Sequence, residues 1–229
     1  MAIAGPLTPP EAAYLLKPNS TTGFATLKVA TLWLLSCGSL RIEELEKPGL
    51  FWMKKVAHLR ATDKPPPAEA RFGPAVIETV QLAQANGGRV SDVVKRAQKV
   101  FGTGCVGLNS QYVVPMLIER GLLEERKSML LRIYAHTPAG SAEVERIDAA
   151  LAGARQIPSL LKKDPAKAAA LALSLGGLIL LVPKLAPHYK SLNVAMQMPG
   201  VDPNGSTDSP FSFRSEEHTS ELQSPYVIS

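Results

Sequence analysis

Three histidines and two cysteines are the side chains in this sequence best suited to metal binding or nucleophilic catalysis. His58, His136 and His188 are far apart along the chain, and none has a cysteine or carboxylate at the spacing of a metal site. Cys37 and Cys105 are isolated as well, with no base at a spacing that would activate a thiol. We therefore predict no catalytic, metal-binding or cofactor-binding residue, and we expect that the chain is not an enzyme.

The glycine-rich segments lead to the same expectation for phosphate-binding cofactors. A phosphate loop follows a strand, opens a helix and carries a lysine. Neither Gly102-Thr-Gly-Cys-Val-Gly107 nor Gly87-Gly88 has that context. These glycines are predicted to end helices and to form loops, and no cofactor is expected.

The net charge of +5 at pH 7 suits an anionic partner, either nucleic acid or the inner leaflet of a membrane. Basic residues form two groups along the chain: Lys95, Arg96 and Lys99 on the polar side of one predicted helix, and Lys54, Lys55, His58, Arg60 and Lys64 around a predicted hairpin.

A winged helix that reads DNA usually presents a basic, polar helix to the major groove. The helix in that position here offers Asn109, Ser110 and Gln111, with Arg120 as its only cation. Phosphate contacts supply most of the non-specific affinity for DNA, so this face is a poor DNA reader. Membrane lipid is the favoured partner and nucleic acid is disfavoured, although a DNA-binding regulator stays an alternative. The sequence names no protein partner.

The first predicted unit, 7–62, places two helices before a hairpin. Thr8 and Glu11 stand at the positions of a capping box, with Pro9 at the start of the helix, where its missing N–H is tolerated. A second helix is predicted at about Thr22–Ser36, closed by Gly38. The hairpin pairs strands at Leu40–Glu43 and Leu50–Met53 around the turn Lys47-Pro48-Gly49.

A proline-rich linker, 63–71, precedes a second unit, 72–154, in which the order of helices and then a hairpin is repeated. Its predicted elements are helices at Ala75–Ala85, Ser91–Gly102 and Ser110–Arg120, the last bent by Pro115, a hairpin within Leu122–Tyr134, and a helix from Thr137. The predicted fold class is mainly α with small β-hairpins (α+β), built as tandem winged-helix-like units.

An apolar helix is predicted over 165–189, capped by Asp164. Ala168–Pro183 contains no charged residue and has no polar face, which is typical of a membrane span or of a fully buried core helix. We expect a span whose N-terminal end is cytoplasmic, because Lys162, Lys163 and Lys167 precede it. The alternative is the core helix. Residues 190–213 are predicted to be loop or disorder.

Short motifs resemble an uncharacterised family of predicted bacterial membrane proteins. They are Leu7-Thr-Pro-Pro-Glu-Ala-Ala-Tyr-Leu-Leu16, Leu40-Arg-Ile-Glu-Glu44 and Glu119-Arg-Gly-Leu-Leu123. The resemblance implies cytoplasmic winged-helix-like units beside transmembrane helices, and it implies no catalytic residue. The chain departs from that family at Cys37-Gly38-Ser39, where an arginine, glycine and tyrosine are more usual. On this basis we expect a non-enzymatic, membrane-associated interaction or scaffold module.

A second resemblance is to the Golgi phosphoprotein family of phosphoinositide-binding helical proteins. It is carried by Gly121-Leu-Leu-Glu-Glu-Arg-Lys127, followed by Asp164-Pro165 and an alanine- and leucine-rich helix. This resemblance implies a soluble protein that binds phosphoinositides and whose apolar helix lies in the core.

The C-terminal segment 214–229 resembles translated short-read sequencing adapter. The match runs from Arg214 to Ser224, and Ile228-Ser229 follows in the expected frame. We therefore expect that the natural sequence is interrupted near Phe213, and this segment is left out of the fold prediction.

Overall fold

The computed structural model describes residues 5–48, 53–128 and 131–188. In this part of the chain the protein is mainly helical, with two separate antiparallel sheets of two strands each. The first elements are α1 (Pro9–Leu16), α2 (Gly23–Ser36), β1 (Leu40–Pro48) and β2 (Met53–Ala61). They are followed by α3 (Gly73–Gln84), α4 (Val90–Phe101), α5 (Val106–Leu108), α6 (Val114–Glu119), β3 (Leu123–Ser128), β4 (Leu131–His136), α7 (Pro138–Ala154), α8 (Ile157–Lys163) and α9 (Pro165–Leu175).

Local capping chemistry fixes where several helices begin. The Thr8 hydroxyl accepts from the Glu11 amide while the Glu11 carboxylate accepts from the Thr8 amide, which is the predicted capping box. Thr137 and Asp164 cap α7 and α9 in the same way, each accepting a bond from a backbone N–H three residues ahead. The predicted starts of these helices are confirmed.

The first hairpin is longer than predicted. Its register runs from Leu40 opposite Ala61 to Pro48 opposite Met53, so that each strand has nine residues. Of the predicted return strand only Met53 lies within the described residues. The base of the hairpin is buried in the core, which is why pairing continues to Ala61: Leu40, Ala57 and Leu59 are almost fully covered.

The second hairpin is present where the sequence places it, with β3 and β4 paired from Leu123 opposite His136 to Ser128 opposite Leu131. The helix before it is divided into α5, a π-helical turn (Asn109–Val113) and α6. Pro115 has no N–H to donate and its ring crowds the carbonyl four residues earlier, which accounts for the irregular turn just before it.

The buried side chains form two cores, and both draw on both predicted units. One core contains residues of α2, the first hairpin, α3, α4, α8 and α9. The other joins Ala12, Tyr14 and Leu15 of α1 to α6, β3 and α7. The first helix of the chain therefore packs against the second half. The division into tandem winged-helix-like units stays a prediction.

The helix predicted over 165–189 does not form as one element. It ends at Leu175, Gly176 adopts a left-handed φ of +52°, and two 3₁₀ segments follow, Gly176–Leu181 and Pro183–His188. Gly176, just after the helix, adopts the positive φ that ends it, a conformation that glycine tolerates. Gly177 then packs so closely on Pro9 that an added Cβ would lie 2.6 Å from its Cγ. No helix among residues 5–48, 53–128 and 131–188 has both the length and the apolar character needed to cross a membrane.

The predicted segments 190–213 and 214–229 lie outside the described residues.

Candidate ligand cleft

The three histidines singled out from the sequence are placed on separate elements. His58 is buried in β2 with Nδ1 against the Gly87 carbonyl, and His136 Nε2 lies 2.6 Å from the Leu15 carbonyl oxygen. His188 ends the last 3₁₀ segment. In the part of the chain that the structure describes, no group of three or more His, Cys, Asp and Glu side chains is arranged to hold a metal ion.

Neither cysteine has the surroundings of an activated nucleophile. Burial raises the pKa of the Cys105 thiol to about 11. Burial also raises the pKa of Cys37, against a smaller opposing effect of a hydrogen bond with Ser36. Nucleophilic thiols need the opposite shift, toward the thiolate. Both shifts are therefore away from the thiolate form.

The structure instead contains a cleft that was not predicted from the sequence. It has a volume of about 470 Å³ and lies where the α1–α2 connection, the turn before α5, the π-helical turn and β4 meet. The residues that line it are Tyr14, Asn19, Ser20, Thr21, Thr22, Gly23, Phe24, Gly104, Val106, Asn109, Ser110, Val114 and Tyr134. Its volume falls within the range of ordinary small-molecule sites.

One wall of the cleft is the N-terminus of α2. Thr22 caps this helix by accepting from the Ala25 amide. Gly23 packs on the backbone of the turn before α5, where an added Cβ would lie 2.1 Å from the Cys105 carbonyl oxygen. Only glycine permits that approach, so the α2 N-terminus, with backbone N–H groups that lack an intrahelical acceptor, is held at the cleft.

A second wall is fixed by Asn19, which bridges the α1–α2 connection to the second hairpin. Its Nδ2 donates to the Tyr134 carbonyl at 2.8 Å, and its Oδ1 accepts from the Tyr134 amide at 2.9 Å. Asn19 has a φ of +67°, a conformation that asparagine tolerates better than most residues. The side chain of Asn109, itself almost fully buried, ties the π-helical turn to the same connection by donating to the Thr21 carbonyl at 2.9 Å.

Unusual backbone conformations are concentrated around this cleft. Asn19 and Cys105 are the non-glycine residues with positive φ in the described part of the chain, and they lie in the two loops that border it. The π-helical turn Asn109–Val113 forms another side. Strained backbone and π-helical turns are enriched at functional sites, so their convergence marks the cleft as the candidate site.

The described residues that line the cleft carry neither positive nor negative charge. None of them is a lysine, arginine, histidine, aspartate or glutamate. Its titratable groups are the Tyr14 and Tyr134 phenols, and burial raises the pKa of Tyr14. A phosphoinositide headgroup inside the cleft would therefore have no cationic side chain to pair with its phosphates.

Exposed apolar and basic side chains occur at the cleft and on α2 and α4, the two helices that contact the 3₁₀ turn Thr103–Cys105 beside it. Phe24 is 37% exposed, Val106 61% and Val100, in the last turn of α4, 43%. Lys28 lies one turn after Phe24 on α2, and Arg96 and Lys99 flank Val100 on α4. We call these six residues the basic–apolar face.

The cations of this face differ from Arg60 of the first hairpin, which has an ion-pair partner. Within the described part of the chain, no ion pair involves Lys28, Arg96 or Lys99. By contrast, Arg60 of the first hairpin donates to Glu43 at 3.0 Å. The basic–apolar face therefore holds positive charge that has no ion-pair partner among the described residues.

No protein-family model, curated protein or solved structure matches this chain, so the candidate site is defined by its own geometry alone.

Proposed function

We propose that this protein is a non-enzymatic interaction module that docks on anionic membrane surfaces through the basic–apolar face. The observation that carries the proposal is the exposure of Phe24, Val100 and Val106 beside Lys28, Arg96 and Lys99. Such a surface offers apolar side chains to the interfacial region of a bilayer and cations to its anionic headgroups. The resemblance to a phosphoinositide-binding family is in keeping with this proposal.

The packing of α9 supports docking from one side of the membrane rather than insertion. Ala168, Ala169 and Ala172 are fully buried, and Leu175 is nearly so. Ala169, Ala172 and Leu175 pack in the core that also contains Trp33. Exposing them to lipid would remove the apolar contacts of that core, so the proposal leaves α9 in place.

The test is co-sedimentation of the full chain with vesicles, comparing phosphatidylserine-containing vesicles with pure phosphatidylcholine. We expect binding to the anionic vesicles that weakens as salt rises, because exposed charges are screened. Each lysine near an anionic surface contributes about 1 kcal/mol, so reversing the charge of two lysines with K28E/K99E should weaken binding by at least about 2 kcal/mol, or roughly 30-fold.

A matched control is K162E/K163E, which makes the same change of charge at two exposed lysines of α8. It should retain most of the binding. Equal losses in the two variants would mean that net charge, rather than the basic–apolar face, governs attraction. Absence of binding by the unaltered chain would remove the proposal altogether.

A further inference from the structure

We propose that the cleft accepts one acyl chain of a membrane lipid while the protein is docked. The inference rests on the proposed membrane docking and names the ligand that the same surface would take. It starts from the lining, where Phe24, Val106, Val114 and the rings of Tyr14 and Tyr134 supply the apolar walls. An uncharged, largely apolar cleft favours a ligand that is itself uncharged and apolar, because such a ligand brings no buried charge that needs a partner.

The position of the cleft makes an acyl chain available to it. Phe24 and Val106 belong both to the basic–apolar face and to the lining. When that face rests on a bilayer, the mouth of the cleft lies at the level where acyl chains begin. A chain can then move from the bilayer into the cleft without crossing bulk water.

The polar side of the cleft suits the other end of such a lipid. Lipid ester and phosphate oxygens accept hydrogen bonds. The first backbone N–H groups of α2 lack intrahelical acceptors, and the helix dipole places partial positive charge there. The hydroxyl groups of Ser20, Thr22 and Ser110 add donors along the same lining.

The experiment is calorimetric titration of the full chain with lysophosphatidylcholine below its critical micelle concentration. This probe has one acyl chain and no net charge, so its binding does not depend on general attraction to cations. We expect saturable binding of one molecule per chain. S110W places a bulky ring in the cleft from an exposed position and should weaken binding by at least about tenfold.

Two further variants keep the test independent of folding defects. Q111W adds the same ring at the neighbouring exposed residue, which does not line the cleft, and should bind as the unaltered chain does. S20W fills the cleft from the α1–α2 connection and should repeat the effect of S110W. Absence of saturable binding by the unaltered chain, or equal affinities of S110W and Q111W, would overturn the proposal.

The two proposals fail in different ways. The K28E/K99E variant should lose vesicle binding and still bind lysophosphatidylcholine. If the unaltered chain does not sediment with vesicles but binds the lysolipid in a way that S110W blocks, membrane docking is wrong and the cleft is an acyl-chain site. If it sediments with vesicles and does not bind the lysolipid, docking stands and the acyl-chain site is wrong.

Discussion

The buried ion pair between Glu11 and Arg120 should contribute more to stability than any exposed pair in the described part of the chain. The Glu11 side chain is 2% exposed and that of Arg120 is 6% exposed, with 3.8 Å between Oε1 and Nε. The other Glu11 oxygen accepts from the Thr8 amide at 2.7 Å and from the Thr8 hydroxyl at 2.8 Å. Arg120 in turn donates to the Gly5 carbonyl. One carboxylate thus links the start of α1 to the end of α6.

The substitution E11Q keeps the size of the side chain and removes its charge. Unit charges at 3.8 Å attract by about 4 kcal/mol at an effective dielectric constant of about 20. Removing one partner also leaves the Arg120 guanidinium buried without a counter-charge, and such changes cost about 3–5 kcal/mol. We expect a loss near the lower limit, about 3 kcal/mol, because the amide oxygen of the new side chain can still accept from Thr8. This corresponds to a fall in Tm of roughly 6–12 °C.

The assay is urea denaturation of E11Q, R120M and the double variant, which together form a double-mutant cycle. The two losses should be less than additive by about 1–2 kcal/mol, because the second substitution removes an interaction already lost. E119Q is the matched control. Its exposed ion pair with Arg71 should contribute less than about 1 kcal/mol. If E11Q is no more destabilising than E119Q, or if the cycle is additive, the inferred coupling is wrong.

Two further predictions concern Cys105 and Gly177. Since the pKa of Cys105 is raised from 9.0 to about 11, the folded state keeps a proton that the unfolded state loses. Stability from this thiol is therefore fully present below pH 9 and is lost by about pH 11. At pH 8 the buried Cys105 thiol is protonated, so iodoacetamide, followed by peptide mapping, should modify Cys37 well before Cys105. Equal rates of modification at the two cysteines would contradict this prediction. G177A should lower the free energy of unfolding by about 1–3 kcal/mol, because its Cβ would meet Pro9 at 2.6 Å. G153A meets nothing within 4 Å and should leave stability unchanged or slightly raise it, so similar losses in both would refute the steric explanation.

The elements that sequence reasoning predicted are those whose signals lie within a few residues. A cap such as Thr8, Thr137 or Asp164 acts on an amide three residues away, so the sequence shows both partners of the interaction together. The second hairpin likewise joins two strands that are neighbours in the chain, β3 and β4. In both cases the free energy that selects the structure comes from neighbours in the chain.

The cleft could not be predicted because its walls come from distant segments. Asn19 and Tyr134 are separated by 115 residues, and Asn109 bonds to Thr21 across 88. Each of these polar residues is unremarkable in its own segment, and nothing local shows that they meet. The weak signal that existed was the polar run Asn19–Thr22 directly before a helix that begins with glycine, a pattern that places a helix N-terminus beside a loop.

The structure of the apolar segment shows that hydropathy alone does not predict whether such a segment is buried in lipid or in a protein core. A helix without charge is equally compatible with lipid and with a protein core. In the structure the cover comes from earlier elements, because α9 packs in the core with Trp33 of α2. Its exposed side carries Ala166, Ala170 and Ser174, spaced four residues apart, and such small side chains face water at little cost. Because Ala168, Ala169 and Ala172 are buried while Ala166 and Ala170 are exposed, residue type does not distinguish the two sides, and the packing of other elements decides which side is covered.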